Sequence, residues 1–190
     1  MDRNQFWNQL ELEHARAEAF CRRLSGSREK GDDLYQDAVL KAYTGYPSLQ
    51  DLQAFRPWLY RIIVNLYKNS RRGAWWRHFV SLSAEAVERA PGWDPTGSLN
   101  AQRWLEHAFT AISAEERSLV TLFEIEGWTI VELSELLSHP EGTIKARLSR
   151  ARAKMRRKLM TYSASDERKP THNLKPEEAP LCVVTKPEPE

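Results

Sequence analysis

The sequence predicts an all-α protein built as two small helical domains joined by a flexible linker. Three observations carry that reading. Apolar residues recur at spacings of three and four through most of the chain, the period of an amphipathic helix. Turn formers crowd into one stretch, with Pro91-Gly92, Asp94-Pro95 and Gly97-Ser98 all between residues 81 and 100. Basic charge is gathered into two blocks, one on each side of that stretch.

Phe6, Leu10, Ala17 and Phe20 fall near one face of a first helix that ends around Ser25-Gly26-Ser27. The carboxylates of Gly31-Asp32-Asp33 suit the start of a second, which carries Leu34, Ala38, Val39, Ala42 and Tyr43 and stops at Gly45-Tyr46-Pro47. A third runs from Phe55 to Arg71 with Leu59, Ile62, Ile63, Leu66 and Tyr67 inside. Short loops between them predict a bundle over residues 1–80, followed by the linker at 81–100. The second domain, 101–162, opens on Trp104, Leu105, Ala108 and Phe109. Ser113 and Glu116 have capping-box spacing, and Leu119, Val120, Leu122, Phe123 and Ile125 follow as a buried face up to Gly127. Thr129 caps a short helix with Ile130, Leu133, Leu136 and Leu137; Ser138–Gly142 is a turn, and Thr143 opens a last helix to about Tyr162. Residues 163–190 hold five prolines and few large apolar groups, too little burial to offset their ordering entropy, so a disordered tail is expected. Leu181-Cys182-Val183-Val184 is its one apolar island.

Several classes of function are excluded at this stage. No apolar run approaches the roughly 20 residues that span a bilayer, and the N-terminus lacks a signal-peptide pattern, so a cytoplasmic protein without membrane insertion is expected. Cys21 and Cys182 make no disulfide framework, and Cys21 reads as a small buried hydrophobe. The five histidines show no metal-ligand spacing, and no phosphate-cradling glycine loop or nucleophile motif occurs; neither metal nor cofactor nor catalysis is expected.

The net charge of +2 conceals a strong segregation. Residues 56–77 carry six basic and no acidic groups, and residues 139–162 carry eight against one, while residues 78–138 hold three against ten. Such blocks are the electrostatic footprint of nucleic-acid binding. In the second block a short helix, a tight turn and a longer basic helix have helix-turn-helix dimensions. Ile144, Leu148, Ala151 and Met155 form its inward stripe, leaving Lys145, Arg147, Arg150 and five further cations for a major groove. The first block interleaves cations and amides with aromatics (Trp58, Tyr60, Tyr67, Trp75, Trp76), a mixture suited to single strands, in which cations track phosphates and rings hold unstacked bases. Trp58 beside the Leu59 stripe reads as core, and Trp75 and Trp76 are open to either role.

Two segments resemble the extracytoplasmic-function sigma factors of the sigma-70 family: Asp33–Tyr43 with Phe55–Leu66, which look like that family's region 2, and Gly142–Arg152, which looks like region 4. With the connecting helices the likeness covers about residues 5–160. It implies a sigma factor that recruits RNA polymerase core to promoter DNA. Asp33, Gln36 and Asp37 would contact the clamp of the largest subunit. The loop from Gly45 to Ala54 would capture a flipped base of the −10 element, with Arg56, Arg61, Asn65, Lys68 and Asn69 on the neighbouring DNA-facing helix. Lys145, Arg147 and Arg150 would read the −35 element, the apolar side of their domain would dock on the flap of the second-largest subunit, and an anti-sigma factor would be a partner. Pro57, Ala146, the Trp75-Trp76 pair and the tail depart from the family pattern and bear on promoter preference and regulation.

Melting DNA costs about 1.4 kcal/mol per base-pair step, and capturing an unstacked base returns roughly 1–3 kcal/mol. The free protein is therefore expected to bind duplex weakly and to open it only with polymerase. A simple helix-turn-helix regulator is the nearest rival but leaves the first basic block unexplained. A sigma-mimicking adaptor is another, and it would need no basic reading face.

Overall fold

A computed structural model of the chain describes residues 3–80 and 104–166. The linker at 81–100 and all of the tail beyond residue 166 lie outside the described residues. Every regular element among the described residues is helical, as the periodicity predicts. The first domain consists of α1 (Arg3–Ser25), α2 (Arg28–Gly45), short 3-10 turns at Tyr46–Ser48 and Leu52–Ala54, and α3 (Phe55–Val80). In the second, α4 (residues 104–109) precedes α5 (Ala114–Glu124), α6 (Ile130–Leu137) and α7 (Glu141–Asp166).

α1 and α2 form an antiparallel hairpin whose register is fixed by side-chain pairs. Trp7 lies against Tyr43, His14 Nδ1 is 2.7 Å from the Tyr35 hydroxyl, and Arg22 Nε donates to Asp32 at 2.6 Å. α2 starts earlier than its Gly31-Asp32-Asp33 signal suggested, because Ser27 in extended backbone accepts from the Lys30 amide and caps it. Gly31 lies inside the helix, where close packing demands it: a Cβ there would sit 2.4 Å from the Arg22 Cα. Phe6, Phe20, Leu24, Ala38, Leu59 and Ile63 are fully buried between the three helices. Cys21 is buried with them, and burial first, then Glu18 and Asp32, pushes its thiol far up, which is the chemistry of an inert core group.

In the second domain the capping box at Ser113 and Glu116 forms, and Thr129 with Glu132 makes another at the start of α6. Ser138 takes left-handed backbone at φ 54° to end α6, and the His139 amide bonds back to the Ser134 carbonyl. Ile144, Leu148 and Ala151 are buried under α7 as their stripe predicts, with Met155 partly so. Ile125, expected in the buried face, is instead exposed, because α5 ends at Glu124 and the chain turns away through Gly127 at φ +73°.

The sequence suggested two cationic surfaces held apart. The structure packs the domains together, with α3 against α5 and α6 and α1 against α5, and the buried residues of both form one apolar cluster.

Candidate nucleic-acid interface

On α7 the buried stripe sets which residues face out. Gly142, Lys145, Ala146, Ser149, Arg150, Arg152 and Ala153 are exposed, whereas Arg147 is half-buried. Lys145 lies 3.4 Å from Glu141 on the same face, and Arg150 Nε donates to its own helix at the Ala146 carbonyl. Arg147 turns the other way and donates to Glu115 of α5 at 2.5 Å. Glu115 is a shared acceptor, 3.4 Å from His139 Nε2 and 4.0 Å from Lys68 of α3. Burial pulls its carboxyl up, but Arg147, Lys68 and His139 outweigh that and hold it below the usual carboxylate range. Glu116 behaves alike: burial raises it, while Lys154 at 2.6 Å and the Ser113 cap bring it down. Arg152 donates to Glu124 at 2.7 Å. One flank of α7 is thus neutralised by α5, and its outer face keeps Lys145 and Arg150. Ser149, absent from the sequence-derived candidates, stands on that outer face; its position four residues after Lys145 was the available signal.

Asp33, Gln36 and Asp37 share one exposed face of α2, as the spacing requires, and Leu40 extends it with its side chain 65% exposed. Leu40 was not among the sequence-derived candidates for this face. A cavity of about 560 Å³ beside this face is lined by Lys30, Asp33, Asp37, Tyr67, Asn69 and Arg71.

The five DNA-facing candidates of α3 divide into two sets. Asn65 and Asn69 are exposed. Arg56, Arg61 and Lys68 are engaged by the second domain. Arg61 donates to the Leu136 carbonyl at 2.9 Å and the Glu135 carbonyl at 2.7 Å, satisfying the open C-terminal end of α6. The Arg56 guanidinium lies 4.8 Å from the ring of Trp128, a residue 4% exposed whose ring is also 5.1 Å from Tyr60. Trp128 was not among the sequence-derived residues; its partners are distant in the chain, and no local pattern announces it. A second contact joins the domains where Arg23 pairs with Glu126 and Arg117 donates to the Arg23 carbonyl.

The loop from Gly45 to Ala54 is held from below. Tyr46 and Leu49 are buried, Ser48 Oγ donates to the Gly45 carbonyl, and Asp51 accepts from the Gln53 amide, leaving Pro47, Ser48, Gln50 and Gln53 at the surface. Trp58 is partly buried against Phe55 and beside Gly45, which agrees with a core role. The side chains of Trp75 and Trp76 lie outside the described residues. No helix of the described residues is long and apolar enough to cross a membrane.

These features define a two-domain helical DNA-binding protein with a helix-turn-helix in its second domain. Residues 11–77 match sigma-70 region 2 and residues 102–155 match sigma-70 region 4. The chain is 30% identical to the ECF RNA polymerase sigma factor SigM of Mycobacterium tuberculosis over 83% of its own length and 79% of that protein's. It is 23% identical to SigW of Bacillus subtilis over 83% and 90% of the two chains. Among solved structures it is similar to the sigma factor RpoE of Bartonella quintana, crystallised in complex with the anti-sigma factor NepR, with a TM-score of 0.66, 27% identity, and coverage of 82% of this chain and 96% of that one. The chain belongs to the extracytoplasmic-function sigma factors of the sigma-70 family, which direct promoter-specific transcription initiation.

Proposed function

We propose that this sigma factor divides its work between its domains. The first, residues 1–80, takes the polymerase clamp on the Asp33, Gln36, Asp37 and Leu40 face and the opened −10 strand on Arg56, Arg61, Asn65, Lys68, Asn69 and the loop 45–54. The second, residues 101–162, reads the −35 duplex through Lys145, Arg150 and Ser149, with Arg147 joining them once its pair with Glu115 opens, and docks its apolar side on the flap of the second-largest subunit. The linker at 81–100 spans the two. The chain contributes binding and no catalysis, works in the cytoplasm without a cofactor, and is held in reserve by an anti-sigma factor, as the crystallised RpoE is found with NepR.

One observation carries this reading: each candidate face stands on a helix whose opposite side is anchored in a packed core, so the cations project in fixed directions. The engagement of Arg56, Arg61 and Lys68 by the second domain supports the further point that free protein binds promoter DNA weakly, since the −10 face must be uncovered first. The test is transcription in vitro by core polymerase plus the full chain, with the starts sequenced. Defined start sites that disappear in the Lys145→Ala, Arg147→Ala, Arg150→Ala triple variant are expected. Failure to associate with core, or start sites unaltered in the triple variant, would overturn the proposal.

A further inference from the structure

Of the tryptophans whose side chains are described, Trp58 and Trp104 are half-buried and Trp128 is buried, but Trp7 is 51% exposed. Its ring is nevertheless fixed. It meets the edge of Phe6 at 5.1 Å and lies tilted at 31° against Tyr43 at 5.8 Å. Phe6 is fully buried and touches Tyr43 and Tyr46 at 5.3 Å and Phe55 at 5.9 Å. Tyr46 and Phe55 are the residues at which the chain enters and leaves the loop 45–54. Trp7 is therefore mounted on the same aromatic post that holds both ends of the loop. A rigid exposed ring beside a base-capturing loop has the geometry of a stacking surface, which accepts any base because every base has a π face.

We propose that Trp7, backed by Tyr43, is a stacking platform for an unpaired base of the non-template DNA strand, next to the base taken by the loop 45–54. This rests on the reading of that loop given above. Trp7 is a positioning contact in the opened complex: it adds lifetime to melted DNA and plays no part in reading the duplex.

The test uses holoenzyme assembled from core polymerase and the full chain. Open-complex lifetime is measured on promoters bearing one abasic site at each non-template position in turn. Trp7→Ala should shorten the lifetime about tenfold on intact DNA, within the range for loss of one base stack. Trp7→Phe should keep most of it, while Trp7→Leu, which retains apolar contact with Tyr43 but lacks a π face, should lose it even if the alanine variant folds poorly. One abasic position should reproduce the loss in the wild type, and Trp7→Ala should add nothing further there. Variants of the loop residues Ser48 and Gln50 should be silent at a different, adjacent position. If that second position is missing while the Trp7 position persists, the loop reading fails and the platform stands. An unaltered lifetime in the Leu variant, losses that add at every abasic site, or weakened core binding with normal lifetime would each overturn the platform, the last by making Trp7 a protein contact.

Discussion

Replacing Trp128 by alanine should open the contact between the domains and uncover the DNA-facing side of α3. The Trp128 ring contacts both the Arg56 guanidinium and the Tyr60 ring, which also contact each other, and it is nearly inaccessible to solvent. Truncating a buried tryptophan costs about 3–5 kcal/mol, of which part belongs to the second domain's own packing. If about 2 kcal/mol belongs to the interdomain contact, the closed-to-open ratio falls roughly thirtyfold. The contact is poised for such a change. Glu13 Oε2 and Arg56 Nε form an ion pair there at 3.8 Å, while Tyr60 Oη and Trp128 Nε1 are buried without a hydrogen bond inside the chain. Each such atom costs about 1–3 kcal/mol, which opening to water returns. Because apparent affinity scales with the open fraction, free Trp128→Ala protein should bind a single-stranded −10 oligonucleotide roughly ten- to thirtyfold tighter by fluorescence anisotropy. Its radius of gyration in small-angle scattering should rise while its helical circular dichroism is kept. An expanded variant with wild-type affinity would refute the idea that the second domain masks the −10 face, and an unexpanded one would refute the role of Trp128 in closure.

Glu115→Gln should release Arg147 and remove an anchor of Lys68, so duplex −35 affinity should rise several-fold and its salt dependence should steepen by about one phosphate contact, read from binding at two salt concentrations. The folded carboxyls of Glu115, Glu116 and Glu132 all lie below their ordinary value near 4.5. Groups with depressed folded pKa contribute stability that is present above 4.5 and lost as pH falls through the lower folded value. Melting of the second domain should accordingly be flat from neutral pH to about pH 5 and fall below it, and a Glu115→Gln, Glu116→Gln variant should show a shallower acid limb. Gly31→Ala should destabilise the first domain by about 1–3 kcal/mol in denaturant unfolding, since the added carbon meets the α1 backbone rather than a side chain that can swing away.

What was legible in the sequence was whatever is decided within a few residues. Ser113 and Glu116, three apart, foretell a capping box that forms. Ile144, Leu148 and Ala151 share a face by helical period and are buried. Asp33, Gln36 and Asp37 fall on one exposed face for the same reason. What was not legible depends on residues far apart in the chain. Arg147 and Glu115 are separated by 32 residues, and Arg61 reaches the α6 carbonyls across 75, so no local pattern could assign those cations to a protein partner. Gly31 stood at the expected helix start because the carboxylates beside it suit an N-terminus, whereas the reason for a glycine there is the approach of another helix. Leu40 lies outside the predicted apolar set of α2 and is exposed, because the hairpin partner covers only the side bearing Leu34, Ala38 and Ala42.

The pairing of α7 with α5 bears directly on how a strongly basic helix can be selective. Eight free cations on one helix would hold any duplex by its phosphates, with an affinity dominated by counterion release and indifferent to sequence. Selectivity requires that the phosphate contribution be limited and that base edges meet side chains at fixed positions. Glu115, Glu116 and Glu124 take up Arg147, Lys154 and Arg152, which lowers the sequence-blind share, and the same pairs lock α7 in rotation against α5. Lys145, Ala146, Ser149 and Arg150 are left on the outer face. The acidic residues of α5 therefore shape promoter choice without touching DNA, and exchanging all three for glutamine should raise affinity for random duplex more than for the preferred −35 sequence. A competition assay measures that ratio, and an equal gain on both DNAs would mean that the carboxylates set only the total charge.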